Sequence, residues 1–392
     1  MAVKIVRQTN KIALLGAPTS AAAMSAGLEG APTALRAAGL VDRLKTVGYA
    51  VADLGDDPVQ LYKPDEESPR ARNLTRVLAS LESLKPRVEQ AVKSSALPLI
   101  LAGDCSVALA TVAGARRYFR KVSMIYMDRD ADLNTPATTA TGCVDGMVVS
   151  HLAGRGAAEL VRFWGEPPLV REPDLALFGV ARLDPPEEQL LATSPLRRYL
   201  ASDIKRQGPA AAAQAAIGRI RGNGYQFVLH LDVDVIADFA ATNYPGSGGL
   251  SLAEVREALL EFVQQPELAA FEVTAYNPTK DPDGSGAELI IDLLVELLAA
   301  RLKTLQAAEA AAAPAPVAAA AAVGGNSGAS SEKSTAALDS SPVTAPGEAW
   351  SSDSLDLESD ATTSEDATDT SSDAREANNT SDSSEESSGS HS

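Results

Sequence analysis

Along the first 300 residues, unbroken apolar runs alternate with stretches in which apolar positions recur every three or four residues. The runs are KIALLGAP (11–18), YAVADLGD (49–56), LPLILAGD (97–104), KVSMIYM (121–127), DLALFGVA (174–181), FVLHLDVDV (227–235) and AAFEVTAYNP (269–278). Each reads as a short buried strand closed by Gly, Pro or acidic turn residues. Helical spacing is clearest in PTALRAAGLVDRLKTVGY (32–49), 73–94, SVALATVAGARRYF (106–119), 147–153, 210–221, SLAEVREALLEFVQQ (251–265) and 286–303. Strands that are apolar on both faces and regularly followed by helices predict a parallel sheet covered on each side, a doubly wound α/β domain.

Three strand ends break the apolar pattern. YMDRDADLNTP places Asp128, Asp130 and Asp132 at alternate positions where the fourth strand gives way to a loop. Extended alternation points all three acids one way and directs Arg129 away from them. LAGDCS puts Asp104 and Cys105 at the mouth of the third strand, and HLDVDV sets His230, Asp232 and Asp234 on one face of another. The carboxyl ends of parallel strands are where open α/β sheets hold ligands. Carboxylates so crowded raise one another's pKa unless a cation lies among them, and an oxygen-ligated divalent ion is the simplest such partner. A solvated acidic loop is the blander reading of the first cluster alone.

Composition changes the picture most beyond residue 305. From 306 to 392 the chain is Ala/Pro-rich and then Ser/Asp/Glu-rich, with 16 acids against Lys333 and Arg375, so 14 of the 18 net negative charges lie there. With almost no large apolar residue it cannot offset the entropy of ordering, which predicts a disordered acidic tail over 306–392 behind a folded domain at 1–305. The folded part is then only mildly acidic, which argues against nucleic-acid binding. Two cysteines give no disulfide framework and fit a reducing compartment. Without a signal-peptide core or an 18-residue apolar run, the expectation is a cytoplasmic chain with no membrane partner.

In order, GAPTS, GAPTALRAAGL, DLGD, LAGDCS, DRDADLNTP, TGCVDGMVVSHLAG, LDVDV and VTAYNPTKDPDG resemble the motif series of the arginase and agmatinase (ureohydrolase) superfamily over about 11–305. The resemblance implies a three-layer α/β/α sandwich with a mostly parallel sheet of about eight strands. It also implies hydrolysis of a C–N bond in a linear amidine or guanidino substrate by two manganese ions, and a trimer or hexamer. Carried over residue by residue, it makes Asp128, Asp132, Asp232 and Asp234 metal ligands. Asn134 and Thr139 fall in its substrate-binding loop.

Four positions depart from the family pattern. Cys105 and Asp130 stand where the family has ligand histidines, Asp145 where it has a proton-shuttling histidine, and Ala275 where it has a guanidinium-orienting glutamate. Cys105 and Asp130 are then replacement ligands, and the oxygen-rich set favours manganese, magnesium or calcium unless the Cys105 thiol ionises. Asp145 or His230 is left to carry the proton, and His230 reads also as a stand-in for a lost imidazole ligand or as a neutral core histidine bonded to an acid. His151 reads as a packing or capping residue. Glu272 lies on the opposite alternation to Ala275 and inherits no role. The alternative to a hydrolase is a catalytically inactive ureohydrolase-like binding or regulatory protein.

Overall fold

A computed structural model describes residues 8–221 and 226–312. Eight strands form one sheet: β1 (Lys11–Ala17), β2 (Ala50–Asp56), β3 (Leu97–Ala102), β4 (Val122–Met127), β5 (Leu175–Val180), β6 (Arg197–Leu200), β7 (Gln226–Asp232) and β8 (Leu268–Thr274). Their order is β2-β1-β3-β8-β7-β4-β5-β6 and every pairing is parallel. Successive strand residues feed opposite sides. Ile12, Leu14, Ile125 and Met127 join one core cluster, while Ala13, Leu15, Met124 and Tyr126 join the other. The first is covered by helices that include Leu252–Val263 and Ser285–Ala312, the second by Leu74–Lys93 and Ala108–Arg116. This is the three-layer, doubly wound sandwich that the strand–helix alternation predicts.

Several elements differ from the sequence reading. The helix expected over 32–49 is two, Ala31–Ala37 and Leu40–Thr46, because Gly39 takes a left-handed φ of 92° between them. Strand β6 has no counterpart among the apolar runs: RRYL has no apolar alternation and lies at the sheet edge, where one flank needs no burial. The last helix runs to Ala312, so 306–312 is helical and not part of a tail. Its residues LQAAEAAA are strong helix formers. The acidic tail expected farther on, 313–392, lies outside the described residues.

The four central strands, β3, β8, β7 and β4, bring their carboxyl ends together. Those ends carry Cys105, Thr274, Asp232 and Asp128, so the sheet order itself assembles the polar cluster.

Candidate metal centre and active-site cleft

Strand pairing stops at Met127, and the chain turns there. The Asp128 amide donates to the Phe178 carbonyl (3.0 Å), the Asp130 amide to Asp128 Oδ1 (2.7 Å), and Asp132 has a left-handed φ of 50°. Strict alternation therefore ends before the acids begin, which corrects the expectation for Arg129. Its guanidinium turns into the cluster, 3.4 Å from Asp234 Oδ2 and 3.5 Å from Asp130 Oδ2. Strand β7 likewise ends at Asp232, and Asp234 sits in a single 3-10 turn whose amide donates to Asp232 Oδ1 (2.8 Å).

Two groups of donor atoms result. One atom each from Cys105, Asp128, His230 and Asp232 lie within 4.8 Å of one another, as do atoms of Asp128, Asp130 and Asp234. Asp128 belongs to both. Asp132 belongs to neither: the Tyr126 hydroxyl donates to its Oδ2 at 2.5 Å.

Burial, and then the charge of Asp232 for Asp128 and of Asp234 for Asp232, push these two carboxyls well above the usual carboxylate range. Burial and then Asp145 do the same to Asp132. Asp234 rises to about 6 through burial and Asp130, opposed by Arg129. Without a cation this cluster holds protons. The Cys105 thiol, raised by burial and then Asp232, donates to Asp232 Oδ2 at 3.0 Å.

His230 is fully buried, and its Nδ1 donates to Glu272 Oε1 at 2.7 Å. Its ring stacks on Tyr126 with centroids 4.1 Å apart, and Nε2 lies 3.3 Å from Thr274 Oγ1. Glu272, given no role by the sequence because Ala275 matches the family position, pairs in register with His230 and fixes its tautomer. A carboxylate behind one ring nitrogen is how metal-binding imidazoles are commonly oriented.

Above the cluster opens a cleft of about 520 Å³ lined by Cys105, the five aspartates, Asn134, Thr139, Asp145, Arg182 and Tyr244. Asp145 accepts the Cys105 amide at 2.8 Å and the Tyr244 hydroxyl at 3.0 Å, and burial with neighbouring Asp104 raises it to about 7. Asn134 donates to Asp184 (2.9 Å) and accepts from Thr138 (3.0 Å). Thr139 Oγ1 accepts the Gly142 amide (2.9 Å), which makes it partly a turn former. His151 lies elsewhere: it bonds the Met147 carbonyl (2.8 Å) and accepts the Ala157 amide (3.0 Å). Tyr244 has no sequence signal, since a lone tyrosine in a loop has no periodicity to mark it.

A model of the arginase family matches residues 10–300, three quarters of the chain and all of the sheet. The chain belongs to the arginase family. It is 29% identical over 294 residues to an arginase of Bacillus subtilis (strain 168), covering 74% of this chain and 98% of that one. The solved arginase of Bacillus caldovelox superposes with a TM-score of 0.70 at 27% identity, over 74% of this chain and 98% of that one. A formimidoylglutamase from Bacillus subtilis shares the fold at 20% identity and a TM-score of 0.60, over 75% of this chain and 87% of that one. At family level the chain is a ureohydrolase-type hydrolase of C–N bonds.

The family's metals meet different surroundings at the two donor groups. Cys105, Asp128, His230 and Asp232 are four convergent donors, with an imidazole already oriented, and they fit a divalent ion. Their atoms form a mixed donor set of carboxylate oxygens, one imidazole and a thiol that carries its proton. Asp128, Asp130 and Asp234 offer oxygens only, and a guanidinium already lies against two of them.

Proposed function

We propose that the cleft hydrolyses a C–N bond of a small linear amidine or guanidino compound, using a divalent ion held by Cys105, Asp128, His230 and Asp232. The observation that supports this most is the convergence of buried carboxylates on the cleft floor, a charge density that needs cations and favours a cationic substrate. When bound, a divalent ion there supplies Lewis acidity toward water. Asp145 does the proton work. With a pKa of about 7 it takes the proton released as water adds to the amidine carbon and returns it to the departing nitrogen as the C–N bond breaks. Tyr244 and the Cys105 amide hold both its oxygens in place. Glu272 keeps His230 in one tautomer, and Asn134 and Thr139 form the polar wall that meets the rest of the substrate.

With Ala275 where the family carries a guanidinium-orienting glutamate, free arginine is a poor fit, and a shorter or differently substituted amidine is expected. The test is ammonia and urea release from a panel of amidines and guanidino compounds, with manganese, zinc, magnesium or calcium supplied in turn. Release from one class with one ion supports the reading; no release, together with no divalent ion bound by the purified chain, overturns it. One observation favours a second reading, a chain that binds cationic ligands without hydrolysing them: Arg129 neutralises part of the cluster from within. Assembly as a trimer or hexamer is checked by light scattering.

A further inference from the structure

Arg129 is seated, not merely nearby. Its carbonyl accepts the Ala181 amide (2.8 Å) and the Arg182 amide (3.1 Å), which fixes the backbone from which the side chain springs. Its Nη2 donates to the Tyr244 carbonyl at 2.9 Å, and only 10% of the side chain is exposed. Gly246 closes over the guanidinium so tightly that a Cβ there would fall 1.4 Å from Nη1. The loop at 244–246 is therefore shaped to hold this side chain. Against it lie Asp130 and Asp234, two of the three acids that, with Asp128, could hold an ion. Asp234 Oδ1 is buried and has no hydrogen-bond partner, and Arg182 Nε donates to Asp130 Oδ1 at 2.5 Å.

We propose that the Arg129 guanidinium is the second cation of this centre. It fills the position formed by Asp128, Asp130 and Asp234, so the chain takes one divalent ion where a dinuclear site takes two. Neighbouring residues of DRD are then one device: Asp130 adds a carboxylate that Arg182 and Arg129 share, and Arg129 adds a charge that also faces Asp234. A divalent ion entering that position would meet a positive charge at contact distance in a buried setting, where repulsion is poorly screened. The inference rests on reading the acids as a cation centre, but it stands apart from whether the first position loads or catalyses.

Metal content of the full chain after equilibrium dialysis, first against manganese and then against zinc, tests it by native mass spectrometry. The wild type is expected to retain no more than one ion. Arg129→Gln, which keeps a donor for the Tyr244 carbonyl and removes the charge, is expected to retain one ion more than the wild type. Arg129→Lys is expected to match the wild type, since its charge remains. Two ions in the wild type overturn the proposal whether or not the variants fold, and so does an unchanged count in folded Arg129→Gln or a gain in Arg129→Lys. If the wild type retains none and Arg129→Gln retains one, the inference stands while the four-donor position of the proposed function falls.

Discussion

Both oxygens of Asp145 are tied, one to the Cys105 amide and the other to the Tyr244 hydroxyl, yet its carboxyl stays protonated up to about pH 7. Asp145→Asn keeps an acceptor and the size of the group but removes the exchangeable proton. Turnover is expected to fall by about 10²-fold or more with metal content unchanged, measured as single-substrate release alongside ion counting. A loss of metal would make Asp145 a structural support instead. His151 shows the opposite use of a titratable group. Burial lowers its pKa from 6.5 to about 4, opposed by the Met147 carbonyl, so it stays neutral while an unfolded chain would take up a proton. Its contribution to stability is fully present above about pH 6.5 and falls as the pH drops toward 4, by about 3 kcal/mol at most. Urea unfolding of His151→Gln and the wild type at pH 7 and pH 4.5 should show the wild type losing more stability on acidification; parallel losses would mean the ring is not held neutral. At this scale the acids are legible in the sequence because carboxylates at the ends of apolar strands have no packing role. The direction of Arg129 is not, because alternation holds only while the strand does, and β4 stops at Met127.

Elements are legible wherever burial is two-sided. Seven of the eight strands stand out as apolar runs, six of them buried along nearly their whole length and β2, at one edge, only in part, whereas β6 at the other edge carries RRYL and leaves no such mark. The length of the final helix escapes the sequence pattern for a related reason: its last seven residues are exposed, so they follow helix propensity with no apolar face to reveal them. An apolar face from Ala287 to Leu302 seats that helix on the core, and a polar contact is added near its far end. Arg301, buried on its inner side, donates to the Val263 carbonyl at 2.5 Å and the Gln265 carbonyl at 2.7 Å, closing the end of helix Leu252–Val263. Burial holds its pKa down at about 10, so it remains charged at neutral pH. Arg301→Ala leaves two carbonyls without that donor and a gap between the helices, at a cost of about 2–4 kcal/mol. Chemical denaturation should show this loss with metal content unaltered, since Arg301 lies near the amino-terminal starts of β3 and β7 and not at the carboxyl ends that carry the acids.

For the whole molecule, charge is divided unevenly: 14 of the 18 net negative charges fall within 306–392, and the domain that carries the cleft holds few in excess. Two sets of carboxylates therefore compete for any divalent ion, the buried group at the strand ends and the acids of the tail. Their physics differs. The buried acids are held in place before an ion arrives, whereas in the tail sequence acids are dispersed among Ser, Thr and Ala with no convergent spacing. An ion bound only by the folded state stabilises it by about 2.7 kcal/mol at a hundredfold excess over Kd, which for a domain of this size is a rise in Tm of about 4 °C. A chain ending at Ala312 retains every strand and helix described, so its Tm without metal should match the full chain to within about 2 °C. The stabilisation by manganese or zinc should survive truncation at full size. If the shift vanished in the shorter chain, the acids beyond 312 would be the binding element and the strand-end cluster would not. If it survived there and was lost in the full-length Asp128→Asn variant, the ion would be placed at the residue common to both donor groups.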